Sequence, residues 1–404
     1  MMGRARTKTL ATRREPPHNM SRRTRRILTK RLESDMLKPT QTVVALLGLC
    51  LLIGLPAEAS AQEVRSKAKG VDDALPRPDG KPADVSKTVK VFVLMGQSNM
   101  LEMGNVAGDK DGTLEYAVKK EGLYPFLVDA DGKWTTRQDV RNVAVMGSGG
   151  PGKTQVRKNE WLSVSGARIG VEQGIGHHMG NALEEPVLIL KSAIGNRSLG
   201  WDLLPPGSPA YEYQDPKDGK TYVYAGYGQS PDRWEKGTEP KSINWKAGLQ
   251  YDGDIARAKE VLDNLDKYYP GAKNYEVAGF FWWQGDKDRY NAGHAAMYER
   301  NLVALIASLR KDFNAPNAKF VCATLGQTDK EQPEGTEKAI LEAKLAVADA
   351  KKYPQLAGSV ATVYTHPLSM GSSSNAHYGN NAKTYMNVGL GMGEAMVKLL
   401  RGSK

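Results

Sequence analysis

Cysteine is almost absent from this sequence of 404 residues, which contains only two of them. Cys50 lies in the apolar part of a predicted leader, so Cys322 is the single cysteine in the rest of the chain. One thiol cannot form an intrachain disulfide, and zinc sites that need two or more cysteines are excluded. Cys322 lies in the strand-like run 320–325, which favours a small buried apolar residue over a reactive thiol.

A long apolar run is also missing. The most apolar stretch, residues 43–55, has 13 residues and is too short to cross a bilayer comfortably. Lys38 precedes it and the small-x-small sequence Ala59-Ser60-Ala61 follows it, as in a signal peptide. We therefore expect residues 1–61 to be a signal peptide with a basic N-terminal extension, and the mature protein to be secreted or periplasmic.

The positive charge of the chain is concentrated in this leader. The whole sequence carries +11, from 56 basic and 45 acidic residues, but residues 1–38 alone hold 12 basic and 3 acidic ones. The chain after residue 61 is left with a net charge of +3. We therefore expect no nucleic-acid partner and, after cleavage, no membrane association. The oligomeric state is left open.

The remainder alternates between apolar runs and amphipathic segments. Residues 62–88 are polar and predict a linker, and residues 89–404 predict one domain. Strands are predicted at 89–96, 187–195, 277–283, 319–325 and 360–364, and helices at 255–265, 298–309, 334–351 and 385–399. This alternation indicates a parallel sheet covered by helices on both faces. Two insertions are expected, with loops and short hairpins over the sheet at about 101–165 and an irregular aromatic segment at about 201–245.

The most informative stretch is 91–100, an apolar run that ends in Gly96-Gln97-Ser98-Asn99. A glycine at the end of a buried strand permits a sharp turn. That turn would place Ser98 beyond the carboxyl ends of the strands, where open α/β sheets bind their ligands. A serine there can act as a nucleophile, and its backbone N–H can stabilise an oxyanion. The alternative is a turn residue that caps the following helix.

Ester hydrolysis also needs a base and donors to the oxyanion. Polar residues that follow later apolar runs, or that precede the last helix, can supply both. His377 is the candidate base that takes the proton of the serine. The backbone N–H of Gly195 and the side-chain amide of Gln284 or Asn196 are the candidate oxyanion donors. The alternative for Gln284 is a buried amide that ties two loops together, and for His377 a capping or surface histidine.

Three segments resemble the carbohydrate-esterase branch of the SGNH hydrolases, the sialate O-acetylesterase-like or acetylxylan-esterase-like group. Residues 91–100 are similar to its F-x-x-x-G-Q-S-N-M block, and residues 281–286 to its W-x-Q-G-E block with Asp in place of Glu. Residues 191–196 resemble the intervening strand with its oxyanion glycine. The resemblance implies a three-layer α/β/α sandwich with a flavodoxin-like parallel sheet and the removal of acetyl groups from sugars. No cluster of ligands in the sequence points to a metal, and no cofactor is expected.

The histidine block departs from the pattern of that family. The family usually has an Asp three residues before the histidine, which here is Ser374, and no acid lies between residues 364 and 394. Asp286 is the first candidate for an acid that supports His377, and Asp288 is the second. A Ser–His dyad without an acid is the other possibility.

These residues predict an exported serine esterase that removes O-acetyl groups from an acetylated carbohydrate. His366 is the alternative base, and Arg197 either holds a loop or contacts substrate. Two other functions stay open. One is a weak or inactive carbohydrate-binding protein on the same fold, suggested by the missing aspartate, and the other is a general short-chain esterase or lipase with a broad apolar pocket.

Overall fold

The structure, a computed structural model, describes residues 74–402. The predicted leader and residues 62–73 of the predicted linker lie outside the described residues, and residues 74–88 contain neither helix nor strand. The strands are β1 (Val89–Gly96), β2 (Gly104–Asn105), β3 (Thr136–Met146), β4 (Gln155–Ser163), β5 (Arg168–Ile169), β6 (Val187–Ser192), β7 (Tyr211–Gln214), β8 (Thr221–Tyr224), β9 (Arg233–Glu235), β10 (Tyr275–Trp283), β11 (Lys319–Ala323) and β12 (Val360–Val363). The α-helices are α1 (Leu114–Lys119), α2 (Glu172–Ala182), α3 (Leu249–Asp263), α4 (Leu265–Tyr268), α5 (Ala292–Ala296), α6 (Tyr298–Asp312), α7 (Thr336–Ala346) and α8 (Ala382–Arg401).

A seven-stranded sheet runs through the centre in the order β12-β11-β10-β1-β6-β3-β4. Every pair of neighbours in it is parallel except β3 and β4. The chain passes from β6 on one side of β1, through α3, to β10 on the other side. Because the strand order reverses around β1, a crevice is expected at its carboxyl end.

Helices cover both faces of this sheet. Val91 and Val93 of β1 pack in a buried cluster with residues of α3 and α6, whereas Phe92 and Leu94 pack in a second cluster with residues of α2 and α8. Because side chains alternate in direction along β1, this strand contributes to a hydrophobic core on each face of the sheet. This arrangement is the expected three-layer α/β/α sandwich with a mostly parallel sheet. No helix among residues 74–402 is long and apolar enough to cross a membrane.

The five predicted strands and four predicted helices are all present, with boundaries shifted by a few residues. Cys322 is buried in β11, as expected, and burial raises the pKa of its thiol. The expectation for residues 101–165 was wrong in part, because β3 and β4 extend the central sheet rather than lying over it. Arg141 and Asn142 are buried in the middle of β3 and interrupt the apolar pattern that would have marked this strand.

The segment 201–245 also differs from its predicted irregular form. It contains a three-stranded antiparallel sheet, β7-β8-β9. Its tyrosines attach it to the body of the protein, since the Tyr211 hydroxyl donates to the Gly293 carbonyl at 3.0 Å and the Tyr224 hydroxyl to Asn291 Oδ1 at 2.8 Å. The aromatic residues here therefore fasten the insertion in place.

Helices α2 and α8 approach each other at backbone contact. A Cβ added to Gly174 would lie 2.3 Å from the backbone nitrogen of Leu390 and 2.5 Å from the carbonyl carbon of Gly389. A Cβ on Gly389 would lie 2.4 Å from the Val171 carbonyl oxygen. Only glycines fit this crossing, which holds α8 against the sheet and fixes the start of that helix.

We expect Gly174→Ala to destabilise the protein by about 1–3 kcal/mol, although alanine is the better helix former. The reason is that the added methyl group meets backbone atoms, which cannot move aside. Gly391→Ala is the control, because its Cβ would meet only side-chain atoms, at 3.1 Å and 3.2 Å. Thermal unfolding of both variants checks this, and equal melting temperatures for them would contradict the tight crossing.

Candidate active site

Ser98 lies just beyond the carboxyl end of β1, on a single 3-10 turn formed by Ser98–Met100. Gly96 permits the turn: its φ is +150°, and a Cβ there would lie 2.3 Å from the Trp283 carbonyl oxygen. The Ser98 side chain is half-buried, and its hydroxyl forms no hydrogen bond with another of the residues described. The sequence-predicted nucleophile is thus presented at the crevice with a free hydroxyl group.

The backbone of Gly195 lies against Ser98. A Cβ added to Gly195 would contact Ser98 Cβ at 3.4 Å. Within residues 74–402, neither the Ser98 N–H nor the Gly195 N–H donates to another backbone or side-chain group. Two unused N–H groups beside a serine hydroxyl are the arrangement that oxyanion stabilisation requires.

The side chains on either side of Ser98 tie it to two other loops. Gln97 Oε1 accepts from Gln284 Nε2 at 3.1 Å and from the backbone N–H of Lys287 at 3.1 Å, so it holds the loop after β10. Asn99 Nδ2 donates to the carbonyl of Ser374 at 3.2 Å, so it holds the loop before α8. Sequence reasoning gave no role to Gln97 or Asn99, although both lie inside the block that marked Ser98.

Gln284 is buried, and its amide is already engaged. Besides Gln97, its Nε2 contacts the carbonyl of Arg197 at 2.9 Å and Asp288 Oδ2 at 2.5 Å, and its Oε1 accepts from the Tyr298 hydroxyl at 2.8 Å. Its side chain therefore ties the loops after β6 and β10 together. To act as an oxyanion donor, it would have to release one of these acceptors.

Asp288, the second candidate for the supporting acid, is committed elsewhere. It is fully buried and accepts from the backbone N–H groups of Leu199 at 2.9 Å and Gly200 at 2.8 Å. Burial raises the pKa of this carboxyl group. Asp288 therefore stabilises the loop after β6, and none of its hydrogen bonds is to His377.

Asp286, the first candidate, is hydrogen-bonded to Ser374, which occupies the position of the Asp in the resembled family. Its Oδ1 accepts from Ser374 Oγ at 2.5 Å and from Arg289 Nε at 2.9 Å. Its Oδ2 has no hydrogen-bond partner among residues 74–402. A carboxylate from the loop after β10 therefore contacts the histidine loop. No hydrogen bond joins Asp286 to the His377 ring.

His377 is half-buried on a short 3-10 segment, Ser374–Asn380, in which it begins a run of left-handed residues with φ of +50°. Its carbonyl accepts from the Tyr385 hydroxyl at 3.3 Å, and the same hydroxyl lies 3.4 Å from Asn99 Oδ1. The next residue, Tyr378, stacks on Trp283 with ring centres 5.6 Å apart. The structure therefore brings the Ser98 and His377 segments to the same edge of the sheet.

The alternative base, His366, has other partners. Its Nδ1 is 2.9 Å from the Gly326 carbonyl, and its Nε2 is 3.4 Å from Asp329 Oδ2. Asn196 is exposed, with φ of +58°, and Arg197 donates to Ser148 and Gln250. Across residues 74–402, no group of three or more His, Cys, Asp or Glu is arranged to hold a metal ion.

Residues 223–398 match the family described as carbohydrate esterase, sialic acid-specific acetylesterase. This segment of the chain is similar to that carbohydrate esterase family. The match agrees with the resemblance seen in the three sequence blocks, and the matched segment includes Gln284 and His377 but begins after Ser98. No curated sequence matches the chain.

Similar solved structures have low sequence identity to this chain. A protein from Arabidopsis thaliana is 15% identical, with coverage of 76% of this chain and 97% of its own, and a TM-score of 0.41. A carbohydrate acetylesterase from Xanthomonas citri is 15% identical, with coverage of 76% and 55% and a TM-score of 0.44. NanS is 14% identical, with coverage of 70% and 79% and a TM-score of 0.39.

Behind the site, burial raises the pKa of Asp254 on α3 to about 8. The group is therefore mostly protonated in the folded protein at pH 7, whereas it is ionised in the unfolded chain. The folded state binds the extra proton between the two pKa values, so this group lowers the free energy of unfolding as the pH rises from about 4 to 8.

We expect Asp254→Asn to fold at neutral pH and to show a weaker loss of stability between pH 5 and 8 than the unmodified protein. The amide keeps the shape of the protonated carboxyl group but cannot ionise. Melting temperatures measured across that range test this. A parallel pH dependence in the two proteins would show that Asp254 is ionised in the folded state.

Proposed function

We propose that this protein is an exported serine esterase that removes O-acetyl groups from carbohydrate. Ser98 Oγ attacks the acetyl carbonyl, and His377 accepts the serine proton. The N–H groups of Ser98 and Gly195 stabilise the oxyanion. The intermediate then expels the sugar oxygen, which takes the proton from His377, and leaves an acetyl-enzyme. Water activated by His377 hydrolyses that ester and restores Ser98.

The observation that carries this proposal is the combination of a free serine hydroxyl and two unused N–H groups in the crevice beside β1. The tie between Asn99 and the Ser374 carbonyl adds support, because it holds the histidine loop next to the serine turn. Export rests on the leader predicted from residues 1–61, which includes a cleavage site after Ala61.

We expect Ser98→Ala to reduce acetate release from acetylated xylan and from p-nitrophenyl acetate by about 10⁴-fold or more, because the acetyl-enzyme cannot form. A fluorophosphonate should label the unmodified protein and not the variant. Ser372→Ala is the matched control, since Ser372 is an exposed serine near the same edge and has no proposed role. Undiminished turnover in Ser98→Ala would refute the mechanism.

The same measurements separate the other candidate functions. A carbohydrate-binding protein would bind the sugar without releasing acetate, and Ser98 would resist labelling. A lipase would prefer long acyl chains. The cavity of about 450 Å³ beside residues 101–103 gives little support to a lipase, because Glu102, Lys158 and Lys191 line it together with apolar side chains.

We further propose that Asp286, acting through Ser374 and the histidine loop, positions His377. The carboxylate belongs to the loop after β10 and not to the histidine loop, but its 2.5 Å hydrogen bond to Ser374 supports this role, because Ser374 stands where that loop lacks an acid. Removing the orienting acid of a Ser-His-Asp triad lowers turnover by up to about 10⁴-fold. If Asp286 acts as such an acid, it contributes a large part of the expected turnover rate.

We expect Asp286→Asn to lower kcat by about 10²–10⁴-fold, because the loop that carries His377 loses the carboxylate that holds it. The double variant Asp286→Ser with Ser374→Asp returns the acid to the histidine loop, and it should recover at least about tenfold over Asp286→Ser.

Glu337→Gln is the control for these variants. Glu337 also pairs with Arg289 but forms no bond with Ser374, so Glu337→Gln should leave kcat unchanged. If Asp286→Asn keeps full activity at every pH, the enzyme works as a Ser–His dyad and Asp286 has no such role.

A further inference from the structure

Arg197 lies two residues beyond Gly195, and three groups fix its guanidinium. Its Nε donates to Gln250 Oε1 at 3.2 Å, one terminal nitrogen to Ser148 Oγ at 2.8 Å and the other to the carbonyl of Asn196 at 3.1 Å. A guanidinium carries five N–H groups. Three are used within the protein, so two remain for a ligand.

The support behind Arg197 is buried and extensive. Gln250 is fully buried, and the Oε1 that accepts from Arg197 also accepts from the Gly149 N–H at 2.8 Å. Its Nε2 donates to the Gly147 carbonyl at 2.9 Å and to Asp254 Oδ1 at 2.8 Å. One side chain from α3 therefore fixes Arg197 and the loop after β3 together.

An aromatic ring completes the arrangement. The Arg197 guanidinium lies 5.1 Å from the ring centre of Trp245, within cation–π distance. A Cβ added to Gly149 would touch the same ring at 3.6 Å. Because the arginine is held in place before any ligand arrives, the entropy cost of ordering it on binding is small.

The reaction proposed for Ser98 gives no task to this arginine. Gly195 touches Ser98, and two residues span at most about 7 Å. The backbone of Arg197 therefore lies near Ser98, and an arginine side chain is long enough to contact the alcohol part of an ester whose carbonyl carbon lies at Ser98 Oγ. Sugar hydroxyl and ring oxygens are acceptors for N–H donors, and an arginine presents two of them side by side.

The geometry points to Arg197, held by Gln250 and Trp245, as the subsite that binds the sugar carrying the acetyl group. This inference rests on the proposed function, since it assigns a binding site to the sugar, which is the leaving group of the proposed reaction. Arg197 would raise the affinity and reactivity of acetylated carbohydrate and would not contact the acetyl group itself.

Two esters that differ only in their alcohol test this subsite. Kinetics on an acetylated xylo-oligosaccharide and on p-nitrophenyl acetate would be measured for the unmodified protein, Arg197→Met and Arg197→Lys. We expect Arg197→Met to lower kcat/KM for the oligosaccharide by about 10–100-fold and to change kcat/KM for p-nitrophenyl acetate by less than about twofold. Arg197→Lys should fall between, because lysine keeps the charge but loses the planar pair of donors.

Arg157→Met is the control, since Arg157 is an arginine that lines the cavity beside residues 101–103. It should leave both rates unchanged, and a selective loss in this variant instead would move the sugar subsite to that cavity and overturn the inference. Equal losses on both esters in the Arg197 variants would show a structural role for Arg197 and also overturn it. An unmodified protein inactive on both esters would contradict the proposed function itself.

Discussion

The candidate site depends on two side chains that flank the serine in sequence. Gln97 accepts hydrogen bonds from the loop after β10, and Asn99 donates to the loop before α8. Ser98, between them, is therefore held at the point where three separate parts of the chain meet. A turn at a strand end can adopt many orientations, and these two amides hold this one against both loops.

Buried polar groups maintain this meeting point, and each is satisfied by several partners. Gln284 is bonded to Gln97, Asp288 and the Arg197 carbonyl. Lys344, fully buried with its pKa lowered to about 8 by burial, donates to the carbonyls of Gln284 and Ala323. Burying such groups is costly unless their hydrogen bonds are complete. The network therefore fixes one arrangement of the loops strongly, since any shift would leave a buried polar atom unpaired.

The central part of the fold follows from local patterns. The apolar runs at 89–96 and 277–283 mark buried parallel strands because both of their faces are covered, and the glycine after the first run marks its turn. The edge of the sheet was harder to predict, because Arg141 and Asn142 are buried in β3, with the Arg141 guanidinium bonded to the Tyr268 carbonyl. A polar residue that finds its partner 127 positions away gives no periodic signal of its own.

The candidate site, like the sheet, was predictable from the sequence only in part. Ser98, Gly195 and His377 were predicted from strand ends and from resemblance, and the structure brings their segments to one edge of the sheet. The contact between Asp286 and Ser374 was not predictable, because 88 residues separate them and it depends on how two loops meet. The left-handed backbone at His377 and Tyr378 was not predictable, because neither residue is a glycine. The fixed orientation of Arg197 was not predictable either, because it depends on contacts with α3 and Trp245 that only the folded chain brings together.

The most direct test of the account is a crystal structure of the protein after reaction with a fluorophosphonate. The account predicts a phosphonyl group bonded to Ser98 Oγ, one of its oxygens within hydrogen-bond distance of both the Ser98 and Gly195 N–H groups, and the His377 ring on the serine side of the crevice. An unmodified Ser98, or an adduct whose oxygen meets neither N–H group, would contradict it.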